Sequence, residues 1–127
     1  MNIYIYTKDF FKEKNEVQRA IVNGIITLYE KIKTYEKQNI SFSRIFNDDG
    51  VKYDKHGQFF TFKYRVSNNQ FRILYSYFQI DGNDVILIAD YFIKKKNNKS
   101  YIRRFDAIND LNPLIALNHS YYVATAS

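Results

Sequence analysis

Three β-prone segments follow one another between residues 59 and 93, and this run constrains the fold more than any other feature of the chain. In the first segment apolar residues alternate with polar ones, which is the period of two expected for a strand with one buried face. Turn-forming residues separate the segments, and Asp81-Gly82 is a favoured hairpin sequence. The sequence therefore predicts consecutive antiparallel strands over 59–66, 71–80 and 85–93.

A fourth strand is predicted at the N-terminus, where Ile3 and Ile5 alternate with tyrosines over residues 2–7. Residues 85–89 are apolar at every position, which is typical of a strand buried on both faces. We therefore place this third segment of the run in the centre of the sheet. Both of its faces are then covered, and the long helix is its natural cover.

Helical periodicity extends over residues 16–37, where apolar positions recur at spacings near three and four. Gly24 lies inside it and costs about 1 kcal/mol of helix propensity. A second helix is predicted over 100–117, with an interruption near Pro113 as an option. The turn-rich stretch 38–58 has room for a short hairpin, and the chain from about residue 118 is predicted to be a mobile tail.

These patterns predict an α+β fold in a single domain over residues 1–127. A small antiparallel sheet of about four strands carries an N-terminal helix, or helix pair, on one face and a C-terminal helix. The chain has no cysteine, which excludes disulfides and thiolate chemistry, and its 4 glycines make a phosphate-cradling loop improbable. No signal peptide or membrane span is evident, so a cytoplasmic protein without metal or cofactor is expected.

Positive charge is concentrated in one part of the chain. The formal net charge is +6, and residues 60–104 hold 9 Lys/Arg against 3 Asp/Glu, whereas residues 105–127 hold none against 2. A concentrated basic surface is the electrostatic footprint of phosphate binding. Lysine-rich composition alone gives the same excess, so charge by itself leaves both interpretations open.

The cations of the three-strand run form the candidate site. They are Lys63 and Arg65 on the first strand, Arg72 on the second, and Lys94, Lys95, Lys96 and Lys99 after the third. Metal-free RNA cleavage needs a base for the 2′-hydroxyl, charge stabilisation at the phosphate and an acid for the leaving oxygen, and clustered cations can serve the second need. A solvated surface is the alternative for Lys96 and Lys99. Arg72 is harder to dismiss, because an unpaired charge in an aromatic strand is costly.

Aromatic and histidine side chains are the remaining candidates. Four tyrosines could stack on bases, although alternating aromatics in strands are more often core residues: Tyr75, Tyr77, Tyr91 and Tyr101. Of the two histidines, only His56 is retained as a possible general base, because His119 falls in the predicted tail.

Three segments of the chain resemble the pattern of a known protein family. The segments "FKYRVSNNQFRILYSYF", "DVILIADYFIKKKNNKS" and "YIRRFDAIND" resemble the RelE/ParE toxin superfamily, and most of all its phage-derived HigB-like branch. The family pattern R-[VI]-[LF]-Y matches Arg72 to Tyr75, and its F-x-K-K matches Phe92 to Lys95. Many members continue with Thr-Gln-Lys-Thr-Pro, whereas this chain continues with Lys96-Asn97-Asn98-Lys99-Ser100.

The resemblance implies a toxin of a type II toxin-antitoxin system that cleaves mRNA on the ribosome and is inhibited by a cognate antitoxin. By that resemblance Arg72, Lys94 and Lys63 would be catalytic, and the substrate would be held by Arg65, Lys95, Lys96 and Tyr101. ParE-like relatives instead inhibit DNA gyrase without cleaving RNA, and a nuclease-dead basic RNA-binding protein is a further alternative. A shared fold does not choose between these activities.

Overall fold

The structure is a computed structural model that describes residues 1–40, 55–56, 58–94, 100–108 and 110–126. A short 3-10 helix over Lys8–Lys12 follows the first strand. The strands are β1 (Asn2–Ile5), β2 (Lys55–His56), β3 (Phe59–Val66), β4 (Asn69–Ile80), β5 (Asn83–Lys94) and β6 (Tyr121–Thr125), and the helices are α1 (Asn15–Lys37), α2 (Ser100–Asp106) and α3 (Pro113–Asn118). The rest of the stretch 38–58, for which a hairpin was an option, lies largely outside the described residues.

The predicted meander of three antiparallel strands is confirmed by β3, β4 and β5. The turn between β4 and β5 has positive φ at both central residues, 51° at Asp81 and 79° at Gly82. This is the left-handed geometry of a type I′ hairpin, which Asp-Gly adopts readily. The central position predicted for residues 85–89 is also confirmed, because β5 lies between β4 and β1.

The predicted sheet of about four antiparallel strands is corrected to a mixed sheet of six, in the order β2-β3-β4-β5-β1-β6. Strand β1 runs parallel to β5. Parallel strands need a connection that crosses back over the sheet, and α1 provides it between β1 and the meander. Residues 121–125, assigned above to a mobile tail, form β6 and pair antiparallel with β1. Two hydrogen bonds at the end of this strand hold residues 121–126 on the sheet. The Met1 amine donates to the Ala126 carbonyl at 2.7 Å, and the Ala126 amide donates to the Met1 carbonyl at 2.8 Å.

Each face of the sheet carries a hydrophobic core. On one face α1 packs Ile21, Ile25, Leu28 and Ile32 against side chains of β1, β3, β4 and β5. On the other face α2 and α3 bury Phe105 and Ala116 against Leu74, Leu87 and Ala89. The N-terminal helix of the predicted α+β fold is therefore present, and the central strand is covered on both faces as its apolar sequence requires.

The helix predicted over 100–117 is two separate helices. Helix α2 ends at Asp106. The backbone of Asn112 is extended, and α3 begins with Pro113 in its first turn. The Asn112 side chain accepts hydrogen bonds from the amides of Leu114 and Ile115 at 2.9 and 3.2 Å. An asparagine cap followed by proline is a strong helix start, which accounts for the division.

Gly24 lies where α1 packs tightly against the Tyr64 ring of β3. A Cβ atom at this position would lie 2.8 Å from Cδ2 and 3.1 Å from Cγ of the Tyr64 ring on β3. Gly24→Val is therefore expected to lower the free energy of unfolding by about 2 kcal/mol, because the ring must move to avoid overpacking. Urea denaturation measures this loss. Asn23→Val on the exposed side of the same turn is the control for propensity, and an equal loss in both variants would contradict the steric explanation.

Candidate functional site

The cations of β3, β4 and β5 share one face of the sheet, near the turn that joins β3 to β4. Directly paired residues of neighbouring strands project to the same side, with Cβ atoms about 5 Å apart. The register forms two such rows, Lys63-Arg72-Phe92 and Arg65-Gln70-Lys94. We call these six residues the basic face. The row before them contains Leu74, which lies in the core under α2 and α3, so the basic face begins where that core ends.

Exposure differs among the members of the basic face. Lys63 and Lys94 are half-buried and Arg65 is exposed, whereas Arg72 retains only 8% of its accessible surface. The Arg72 guanidinium donates to the Phe71 carbonyl at 3.3 Å and to Oε1 of Gln70 at 3.5 Å. A buried guanidinium is acceptable only with such partners. Arg72 is thus a fixed positive charge within the sheet surface, whereas Arg65 and, in part, the two lysines remain accessible.

An ion pair between Asp90 and Arg104 borders the basic face. The Arg104 Nη2 atom on α2 lies 2.6 Å from Oδ1 of Asp90 on β5, and the same oxygen accepts the Tyr91 amide at 2.8 Å. Burial raises the pKa of Asp90 above its usual value, and the charge of Arg104 opposes that rise. A cavity of about 260 Å³ opens beside this pair and Phe92.

Several predicted residues come together and others lie elsewhere. Lys63, Arg72, Lys94 and Arg65 share the basic face, as the alternation of the strands predicts. Lys95, Lys96 and the side chain of Tyr101 lie outside the described residues. Four neighbouring residues are not among the site residues predicted from the sequence: Gln70, Phe92, Asp90 and Arg104. An acidic residue directly after the apolar run of β5 was the available signal for a buried ion pair.

The three candidate tyrosines with described side chains, Tyr75, Tyr77 and Tyr91, belong to the α1 side of the sheet, opposite the basic face. Tyr75 and Tyr91 are buried core residues, and Tyr77 packs against the same core. The pKa of Tyr91 is raised, mainly by burial and to a smaller extent by the hydrogen bond that its hydroxyl donates to Glu13. Core packing is therefore the correct interpretation of these three. His119 is exposed at the end of α3, and the His56 side chain lies outside the described part.

Arg104→Gln tests the ion pair. The variant is expected to lose about 2 kcal/mol of unfolding free energy at pH 7, because it leaves a buried carboxylate without its counter-charge. Loss of Arg104 raises the pKa of Asp90 further. A raised carboxyl pKa stabilises the fold below the ordinary value of 3.8 and costs stability as the pH rises. The deficit should therefore nearly vanish at pH 3.

Urea denaturation at the two pH values measures this effect. Arg103→Gln, on the exposed neighbouring position of α2, is the matched control and should stay within about 0.5 kcal/mol of the wild type. A deficit of Arg104→Gln that is the same at both pH values would contradict the assignment to Asp90.

Two further properties bear on the site. Within the described ranges there is no group of three or more His, Cys, Asp or Glu side chains placed to hold a metal ion. None of the helices in that same part of the chain is long and apolar enough to cross a membrane.

Comparisons with known proteins give no family assignment, so the resemblance to RelE/ParE toxins stays a prediction from the sequence. No family model matches the chain, and no match was found among curated proteins or among solved structures.

Proposed function

We propose that this chain is an mRNA endoribonuclease toxin of a type II toxin-antitoxin pair, which cuts mRNA on the ribosome without a metal ion. Its antitoxin would inhibit it by covering the basic face. The observation that carries the proposal is the pairing of Lys63 with Arg72, next to Lys94 in the following row, on a sheet face beyond the helical core. Cations from three adjacent strands converge there.

The basic face suits a scissile phosphate. In our proposal Lys63 and Lys94 reach the scissile phosphate, since both side chains are half-exposed. Arg72, fixed behind them by Gln70 and the backbone, adds a preorganised positive charge as the phosphorane forms. Exposed Arg65 binds a flanking phosphate. As the 2′-oxygen bonds to phosphorus and the bond to the 5′-oxygen breaks, one of the two lysines, as the free amine, takes the proton of the 2′-hydroxyl, and the other, as an ammonium, gives a proton to the leaving 5′-oxygen.

A neighbouring base has a place beside this phosphate. Phe92 is half-buried in the Lys63-Arg72-Phe92 row and lines the cavity of about 260 Å³ next to Arg104. An aromatic plane and a guanidinium are the groups on which unpaired RNA bases stack. In the proposal the base of the nucleotide adjoining the cut inserts here, while its phosphate stays outside, because Asp9 and Glu13 also line the cavity.

Primer extension on mRNA from a reconstituted translation reaction tests the activity. Purified protein should produce discrete cuts when ribosomes are present and none when they are omitted. An intact message under both conditions would overturn the proposal.

A ParE-like inhibitor of DNA gyrase is the second candidate. The burial of Arg72 favours it, because a guanidinium with 8% exposure is poorly available for direct contact with a scissile phosphate. A gyrase supercoiling assay with purified protein separates the two: inhibition together with an intact message favours the ParE-like function. Overexpression without growth arrest would instead favour a nuclease-dead RNA-binding protein.

A further inference from the structure

Large apolar side chains are exposed mainly around β6. Among the described residues, six large hydrophobic side chains are exposed, and five of them lie in β6, in the preceding α3 or in contact with β6: Phe11, Leu114, Ile115, Tyr121 and Tyr122, with exposures from 40% to 56%. Phe11 packs edge-on against Tyr121 with 5.8 Å between ring centroids, which links the 3-10 helix to the strand. Tyr121 and Tyr122 are consecutive, so they project to opposite faces of the strand and leave apolar surface exposed on both sides of β6.

The backbone of β6 adds hydrogen-bonding capacity to this surface. Strand β6 is the last in the sheet order, and no strand in the described part of the chain pairs with its outer side. Ala126 exchanges both backbone hydrogen bonds with Met1, so by alternation the N–H and C=O of Thr125 point away from β1. Residues 121–126 contain no Lys, Arg or Pro, the residues that commonly protect an edge strand.

We propose that a second copy of this chain pairs with β6, antiparallel and edge to edge, to form a dimer with a continuous sheet. Two identical strands related by a two-fold axis are self-complementary, since each supplies the donors and acceptors that the other needs. The exposed tyrosines and the apolar residues of α3 then cover one another across the axis.

Charge favours a second copy at this edge. Each chain carries +6, yet residues 105–127 contain no Lys or Arg and 2 acidic residues. Strand β6 and α3 therefore bring no cation of their own to the contact between two copies, and Lys8, whose Nζ lies 5.6 Å from the Tyr121 ring centroid, is on the adjoining 3-10 helix. The basic face, carried by β3, β4 and β5, stays open in such a dimer, because β1 separates β5 from β6.

Sedimentation velocity over protein concentrations from about 5 to about 500 μM tests the dimer, since a dimer follows mass action. The wild type should move from 15.2 kDa towards twice that mass as the concentration rises. Thr125→Pro removes the outward N–H, together with the hydrogen bond from Thr125 Oγ1 to Asn2 Oδ1, and should hold the protein at the monomer mass. Tyr122→Lys, which places a charge on the exposed strand, should do the same.

Ile80→Lys is the matched control: it makes the same apolar-to-charged change at an exposed position away from β6 and should dimerise like the wild type. Circular dichroism verifies that each variant is folded, and Tyr122→Lys keeps the test valid if Thr125→Pro fails to fold. A wild type that stays monomeric throughout, or a dimer that persists in folded Tyr122→Lys, would overturn the proposal.

Discussion

Replacing Asp84 by Asn is expected to lower the free energy of unfolding at pH 7 by about 3 kcal/mol. Asp84 begins the apolar part of β5, and its side chain is only 10% exposed. Its Oδ2 atom accepts hydrogen bonds from the Tyr29 hydroxyl at 2.5 Å and from Lys33 Nζ at 2.7 Å. Its Oδ1 atom accepts from the Tyr77 hydroxyl at 2.9 Å and from Gln79 Nε2 at 3.1 Å.

A carboxylate fits this arrangement because all four partners are donors. The amide of Asn offers one acceptor oxygen and an NH₂ group that would face donors, so half of the network loses its acceptor. The Lys33 ammonium also loses a counter-charge, although Glu36 remains at 3.1 Å. Since Tyr29 and Lys33 belong to α1 and Tyr77 to β4, the substitution weakens the attachment of the helix to the sheet.

The pH dependence identifies the carboxylate as the cause. Burial works to raise the pKa of Asp84, but the hydrogen bonds from its four donors outweigh burial and hold the pKa well below its ordinary value of 3.8. A lowered carboxyl pKa stabilises the fold above 3.8, and that contribution disappears as the pH falls towards the folded-state pKa. The difference between wild type and variant should therefore shrink steadily below pH 3.8.

Urea denaturation at several pH values measures both effects. Asp81→Asn is the control, because Asp81 is exposed in the β4–β5 turn and Asn tolerates its positive φ of 51°. A change of less than about 0.5 kcal/mol is expected for the control. If Asp84→Asn matched the control at pH 7, the network would contribute nothing to stability.

The meander could be predicted from the sequence because its three strands are consecutive and short turns join them. Alternation fixes which side chains of β3 share a face, and Asp81-Gly82 fixes a two-residue hairpin, so the neighbouring strands and their direction follow. The shared face of Lys63, Arg72 and Lys94 was predictable for the same reason. The contact between Arg72 and Gln70 was also predictable, since residues two apart on a strand project to the same face.

The edge strands and the ion pair depend on contacts that alternation cannot identify. Thr125 Oγ1 donates to Asn2 Oδ1 across 123 residues of chain, and periodicity in either segment does not specify the other as its partner. Residues 121–125 did have a strand-like composition, but a short segment near the end of a sequence suits a mobile tail equally well. The Asp90–Arg104 pair required the position of α2 on the sheet, which depends on packing.

Replacing Lys63 and Lys94 together by Met is expected to reduce the rate of mRNA cleavage in the ribosome reaction by about 10²- to 10³-fold, if the proposed function is correct. Each lysine belongs to a different row of the basic face, on either side of Arg72. Methionine retains most of the aliphatic stem that packs on the sheet and removes only the charged end. The thermal midpoint should therefore change little.

The control is a double variant with the same change in net charge, Lys14→Met with Lys37→Met, at exposed positions flanking α1. It should weaken RNA binding only through overall charge and keep cleavage within about tenfold of the wild type. Single variants distinguish the roles. Loss of a general base at either lysine should change the pH profile of cleavage, whereas loss of a phosphate contact should lower the rate at every pH. Equal activity of the two double variants would show that cleavage, where present, occurs away from the basic face.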